Sequence, residues 1–481
     1  MDLERWVGQA VAANREWADA FGPFTPHPSL EVSDERFGAA FAEFTDRLAD
    51  NYPFFHPRYA GQMLKPPHPA AVAGYLAAML INPNNHALDG GPATARMERE
   101  VTAQLAAMFG FGTHLGHLTT SGTIANLEAL FVARELHPGR GIAFSADAHY
   151  THSRMCGLLG IEGRPVPVDS HGRMDLDALD DLLRTGGVGT VVLTAGTTGL
   201  GAIDPIHEAL GLCQRHGARI HVDAAYGGFF TILARAGGAG ERSTGGAGEQ
   251  STGGAGEQSA EGAQQLGSGL PAAPWRAIAE CDSVVVDPHK HGLQPYGCGA
   301  VLFRDPGVAR FYLHDSPYTY FTSADLHLGE ISLECSRAGA AAASLWLTFR
   351  LLPPTPDGLG KVLAAGRRAA LAWSALIEKS AVLELYQQPE LDIVSYFPVT
   401  EPAVLSRIDQ ASERILQAGM TGPDPVFLST LRADADAFLA RHESVRADAP
   451  GARILRSVLM KPEAETYLPR LHERLEQLAR G

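Results

Sequence analysis

Lysine is the scarcest charged residue of this 481-residue chain. It occurs five times, at positions 65, 290, 361, 379 and 461, so 34 of the 39 basic residues are arginine. Cysteine is equally rare: 156, 213, 281, 298 and 335 are odd in number, widely spaced and without a C-x-x-C pair. That pattern argues against a disulfide or zinc framework and for a reduced, cytoplasmic chain. No apolar run approaches the ~18 residues that a membrane span needs. The opening MDLERWVGQAVAANREW has no basic stretch leading into an apolar core, so export is not expected. A formal charge of −15 argues against nucleic acid or anionic membrane as partner, because both reward clustered Lys and Arg. Also missing are G-x-G-x-x-G after a strand, G-x-x-x-x-G-K-[ST] and G-x-S-x-G, which removes the common dinucleotide, P-loop and serine-hydrolase readings. Glycine is plentiful instead, 52 residues, of which twelve fall within 237–269.

Eleven of those twelve belong to GGAGERST, GGAGEQST, GGAGEQSA and the decayed EGAQQLGS, and Gly269 follows directly. An eight-residue period without large apolar residues cannot bury a face, so this stretch reads as a disordered insertion at about 236–274. It is either a tolerated surface expansion or a docking element. On both sides the chain reads as α/β. Apolar runs at Gly141–Ser145, Thr190–Thr194, Arg219–Asp223, Asp282–Asp287 and Gly299–Phe303 are separated in several places by helical stretches. These helices are Ile124–Leu136, Asp175–Arg184 and Pro205–His216, the last with Asp204 as its expected N-cap. Near-continuous Val/Ile/Leu runs alternating with helices imply a mostly parallel sheet covered on both faces. Prolines 353, 354 and 356 then break the chain. Beyond them lie helices at Lys361–Ser380, Ala403–Ala418 and Pro462–Arg480 and a strand at Ile393–Phe397, a smaller α+β unit. The expected organisation is a helical segment at 1–60, one helix opening near Ser33, a large α/β domain at 61–352 and a small α+β domain at 353–481.

In open α/β sheets ligands bind beyond the carboxyl ends of the strands. Four segments stand there. Thr119-Thr120-Ser121-Gly122-Thr123 precedes a helix, which suits either an anion at the helix start or an ordinary Ser/Thr cap. His221-Val222-Asp223-Ala224-Ala225-Tyr226-Gly227-Gly228 ends a strand on a carboxylate followed by small residues. That Asp can keep a ring nitrogen protonated, or merely cap the next turn. Asp287-Pro288-His289-Lys290-His291-Gly292 brings one of the five lysines to the end of a buried-looking strand. Unlike Arg, a Lys can lose its proton and form an imine. Ala148-His149-Tyr150 offers an imidazole for stacking or proton transfer. The pairs 149/152 and 114/117 have His-x-x-His spacing but no matching third ligand and no H-E-x-x-H, so no metal is expected. A phosphate seat, a partner for a ring nitrogen and an imine-forming lysine together call for pyridoxal 5′-phosphate.

TSGTIANLEAL, AHYTHSRMCGLLG, LTAGTTGLGAIDPI, HVDAAYGG, DPHKHGLQPYGCGAVLFRD and LECSRAGAAAASLW, in this order, resemble the group II pyridoxal-phosphate-dependent amino-acid decarboxylases, among them the aromatic amino-acid, tyrosine, histidine and glutamate decarboxylases. The likeness runs from about Pro53 to Leu347 and continues through PELDIVSYFP and ILRSVLMKP. It implies the type I (aspartate aminotransferase-like) transferase fold, a homodimer and decarboxylation of an L-amino acid to its amine and CO2. Lys290 would form the internal aldimine, with His289 against the cofactor. Asp223 would pair with the ring nitrogen, Ala225 and His149 would pack on the two ring faces, and Thr194 would sit near the ring oxygen. Ser121, Gly122 and Thr123 would cradle the phosphate. Tyr318 or Tyr320, in HDSPYTYFTSADLH, would reprotonate the substrate carbon; the spacing does not choose between them.

Arg337 matches a family arginine, with a structural and a pocket-lining reading both open. Asp287 departs from the Asn of many animal members; a carboxylate there would repel the phosphate unless protonated or turned away, and no phosphate role is assigned to it. His56, Tyr59, Gln62 and His86 fall in segments matching the family's substrate pocket and favour an aromatic or polar substrate. The competing outcomes are a carbon–carbon lyase or aldehyde-forming enzyme on the same cofactor and, in another class, a non-catalytic cofactor-binding scaffold.

Overall fold

The computed structural model describes residues 1–237, 269–313 and 328–481. The octapeptide array, Tyr318 and Tyr320 lie outside the described residues. Seven strands, β1 Leu115–Thr119, β2 Gly141–Ser145, β3 Gly163–Val166, β4 Val188–Thr194, β5 Arg219–Asp223, β6 Ser283–Val286 and β7 Gly299–Phe303, form one sheet in the order β1-β7-β6-β5-β4-β2-β3. The run from β6 through β5, β4 and β2 to β3 is parallel, and β7 is antiparallel to both β6 and β1. All seven residues of β4 are buried, as are all of β2, β6 and β7. This is what near-continuous apolar strands with both faces covered require. Each fully buried Val or Leu there contributes about 1.5–3 kcal/mol from area removed from water.

The helices that precede β5 are α1 Leu3–Asp19, α2 Asp34–Leu48, α3 Pro69–Met79, α4 Pro92–Phe109, α5 Gly122–Leu136, α6 Thr151–Leu159, α7 Leu176–Arg184 and α8 Ile206–His216. Ser33 caps α2 by accepting the Arg36 N–H. Asp204 does not cap α8, contrary to the sequence expectation: Pro205 takes that place without a side-chain bond. The fully buried Asp204 carboxylate instead accepts the N–H groups of Met174 and Thr194, each at 2.7 Å. Two orphan backbone donors inside the fold outcompete a solvent-facing helix start, and burial pushes this carboxyl up to about 7. A second correction concerns the insertion's far flank. Ala272–Ala277 is a helix with Pro274 and Trp275 buried, because an indole of that size finds a place in the large core.

The carboxyl-terminal part carries a four-stranded antiparallel sheet, order β10-β11-β9-β8, made of β8 Leu383–Gln387, β9 Ile393–Pro398, β10 Ser429–Asp434 and β11 Gly451–Val458. Helices Leu359–Ile377, Leu405–Thr421 and Ala464–Arg480 accompany it. Trp373, Tyr396, Leu455 and Leu471 meet in its core. Parallel pairing puts Thr194 beside Asp223, and Asp223 beside Val285, so the carboxyl ends of β4, β5 and β6 finish at one level. The site is built on that level.

Candidate active site

A cavity of about 210 Å³ opens where β4, β5 and β6 end and α5 begins. Ser121, Gly122 and Thr123 line it from α5, Thr194 from β4, Asp223 and Ala225 from β5, and His289 and Lys290 from the loop after β6. His149 lines it from the turn before α6. All the expected catalytic and cofactor-binding residues that lie within the described part therefore meet in one place.

Asp223 is 5% exposed and its carboxylate is anchored at both oxygens. Oδ1 accepts the Ala225 N–H at 3.1 Å, and Oδ2 accepts from His152 Nε2 at 2.8 Å. Burial pushes the carboxyl up, but the His152 hydrogen bond and the positive charge of Lys290 outweigh it and hold it well below the usual range. His152 was weighed from sequence only as half of a His-x-x-His pair. On α6 its ring points at Asp223 while that of His149 faces the cavity, and among the described residues no group of three His, Cys, Asp or Glu side chains is placed to hold a metal. No apolar or capping pattern marks His152; only the tertiary fold brings it to Asp223.

Lys290 Nζ lies 3.0 Å from Asp287 Oδ2. His289 donates from Nδ1 to the Cys298 carbonyl at 2.8 Å and packs on Tyr296, centroid to centroid 4.8 Å. The His149 Nδ1 lone pair accepts the Thr151 hydroxyl at 2.6 Å, and burial lowers this histidine below its ordinary value. At the start of α5, Ser121 Oγ accepts the Ile124 N–H at 3.3 Å, so the ordinary cap is present. The N–H groups of Gly122 and Thr123, which have no partner within the helix, belong to residues that line the cavity. Two glycines allow the close approach here. A Cβ on Gly122 would come within 2.6 Å of Asp287 Oδ2, and one on Gly299 within 2.6 Å of the Ser121 carbonyl carbon.

Arg337 is not among the cavity's lining residues. It is buried, donates to Glu98 and to the Leu118 carbonyl, and joins α4 to β1. Residues 56–63 and 82–92 likewise contribute nothing to the cavity lining described in one chain. Asn126, Tyr150, Thr151 and Thr198 do line it and escaped sequence reading.

Residues 53–236 match the model of the pyridoxal-dependent decarboxylase conserved domain. The chain is 27% identical over 440 residues to an L-tyrosine decarboxylase of Enterococcus faecium, covering 74% of this chain and 71% of that protein. It is 29% identical over 386 residues to an L-tyrosine decarboxylase of Levilactobacillus brevis, covering 65% of this chain and 61% of that protein, less than two thirds of its length. The chain is similar to the pyridoxal-dependent amino-acid decarboxylases and carries their conserved domain over residues 53–236. A probable L-aspartate decarboxylase of Halobacterium salinarum is 29% identical over 306 residues, covering 63% of this chain and 72% of that protein. Among solved structures, mouse CSAD superposes with a TM-score of 0.76 at 22% identity over 99% of this chain and 98% of that one. Oryza sativa TDC with PLP and tryptamine gives 0.76 at 16% identity over 100% and 98%. Both show the shared type I fold.

The cofactor that this domain calls for is pyridoxal 5′-phosphate. The residues present fit it. Thr194 Oγ1 is a buried polar atom on a cavity-lining residue, without a partner among the described residues, next to a helix start that favours an anion. Asp223 is an ionised carboxylate beside small residues that admit a flat ring, and Lys290 supplies a primary amine.

Proposed function

We propose that this chain decarboxylates an L-amino acid, an aromatic one favoured, to the amine and CO2, with Lys290 as the attachment point of the cofactor. The observation that carries the reading is the presence of Lys290 and a doubly anchored, ionised Asp223 in one cavity at the start of α5. Ser121, Gly122 and Thr123 would hold the phosphate, and Ala225, His149, Thr194 and His289 would hold the ring. When bound, pyridoxal phosphate provides a conjugated cation into which the electron pair released with CO2 can spread. Asp223 holds a proton on the ring nitrogen. Its negative charge is fixed in place before the reaction, so no reorganisation is needed when charge develops. His149, kept neutral by burial at pH 7, covers a ring face without adding a competing cation. Tyr318 or Tyr320 delivers the proton to the substrate carbon.

Two finer readings accompany this one. A homodimer is supported by α1 and α2, which bury no residue, and by Phe37, Phe41, Phe44 and Leu48, each at least half exposed along one helix. An apolar stripe of that size calls for a covering surface, and a second copy supplies it. A cytoplasmic place is supported by the five free cysteines, four of them buried. Among the described residues no helix is long and apolar enough to cross a membrane. Borohydride reduction of the loaded protein followed by peptide mapping is expected to label the Lys290 peptide. A substrate panel including tyrosine, tryptophan and aspartate is expected to release CO2 with one amine per turnover. Unlabelled Lys290, or aldehyde in place of amine, overturns the reading.

A further inference from the structure

Asp287 has no place in the chemistry above, yet it stands at the phosphate seat. It is 2% exposed, and its two oxygens would lie 2.6 and 2.8 Å from a Cβ on Gly122, that is, against the first residue of α5. Oδ2 pairs with Lys290 Nζ at 3.0 Å, and Oδ1 is buried without a partner among the described residues. His289 Nε2 is 3.5 Å from Oδ2. It supplies no charge: its Nδ1 must carry the hydrogen, because the Cys298 carbonyl 2.8 Å away can only accept, and burial lowers its pKa. The neutral ring therefore turns a lone pair toward the carboxylate.

Of the other titratable side chains described around the cavity, Asp223 is a second anion and the rest are neutral. Burial lowers His149, and burial raises the Tyr296 phenol and the Cys298 thiol. No arginine and no second lysine lines the described cavity. Among the described residues the Lys290 ammonium is the cation paired with Asp287, and that free ammonium is given up when the lysine becomes the cofactor's attachment point. A phosphate monoester then brings a charge of about −1.5 to −2. Against it and the carboxylate stands a helix start equivalent to roughly half a positive charge. Two anions in one closed seat keep a proton between them rather than face each other bare.

We propose that in the loaded protein the Asp287 carboxyl and the cofactor's phosphate share one proton, so that this chain takes up a proton when it binds the phosphate group. The proposal rests on the cofactor site described above. Its test compares the affinities of the cofactor-free protein for pyridoxal 5′-phosphate and for pyridoxal between about pH 7 and 8.5, where the free phosphate (second pKa about 6) is mostly dianionic. The advantage of the phosphorylated form is expected to shrink by up to tenfold per pH unit, the signature of one linked proton. In Asp287→Asn that advantage should be larger and flat with pH.

Phosphorus NMR of the loaded wild-type protein supplies a reading that needs no variant: the bound phosphate should resonate as a monoanion throughout this range. A pH-independent advantage in the wild type, a dianionic phosphate signal, or an Asn variant that prefers the phosphate less overturns the proposal. Failure to bind pyridoxal as well as its phosphate would instead count against the cofactor site itself.

Discussion

Replacing Arg337 decides between its two open readings. The guanidinium is buried and donates to Glu98 Oε1 and to the Leu118 carbonyl. Glu98 also accepts the Leu118 N–H at 2.9 Å and the Asn85 side-chain amide at 2.6 Å, and Asn85 in turn accepts the Thr94 hydroxyl at 2.6 Å. Arg337→Met removes the cation and leaves Glu98, 1% exposed, as a buried charge without its counterion. Breaking one side of such a pair costs about 3–5 kcal/mol, a large share of the 5–15 kcal/mol that holds a typical domain. Urea unfolding should show that loss. The double variant Arg337→Met with Glu98→Gln should recover roughly half of it or more, since the remaining amide is neutral and still accepts hydrogen bonds. Loaded Arg337→Met that stays folded should keep its turnover within about threefold, because no atom of Arg337 lines the cavity. An unchanged unfolding midpoint together with a large fall in kcat/KM would refute the structural reading and restore the pocket-lining one.

Three further outcomes are expected. His152→Ala should lower turnover about tenfold, the worth of a hydrogen bond of roughly 1.5 kcal/mol to a charged group; His152→Gln, which can still donate, should restore most of it. An Ala variant as inactive as Asp223→Ala, or no rescue by Gln, argues against a positioning role. His221, wedged between Asn126 and Ser283, is lowered by burial to about 3. The folded protein therefore resists its protonation while the unfolded chain takes the proton at about 6.5. The stability it confers is full above pH 6.5 and lost as pH falls toward 3, by up to about 1.4 kcal/mol per unit. Urea midpoints at pH 7, 6 and 5 should fall faster in the wild type than in His221→Gln. Finally, changing Phe37, Phe41 and Phe44 together to Ser should convert the dimer to monomer in sedimentation; a wild-type monomer removes the dimer proposal.

Much of the fold was legible because buried parallel strands announce themselves as apolar runs. Gly141–Ser145, Arg219–Asp223 and Gly299–Phe303 stand where the sequence placed them. β1, with Gly116 and His117, and β3, GRPV, carry no such run and went unread. So did β8, β10 and β11, in which charged or polar side chains interrupt the pattern. At the site, residues at strand ends were legible because the topology sends every strand end to the same level. His152 was left without a role and Asp204 was misread for the opposite reason. Their partners Asp223 and Thr194 lie on other elements, while local spacing offered only a His-x-x-His pair without a third ligand and a helix cap.

The central claim is that Lys290 and Asp223 serve amino-acid decarboxylation. The most direct measurement follows carboxyl-labelled tyrosine through the loaded wild type and Lys290→Ala, counting labelled CO2 and amine in the same samples. One CO2 and one tyramine per molecule consumed, both abolished in the variant, is the predicted result. Undiminished turnover by Lys290→Ala, or consumption of every amino acid offered without release of CO2, would contradict it.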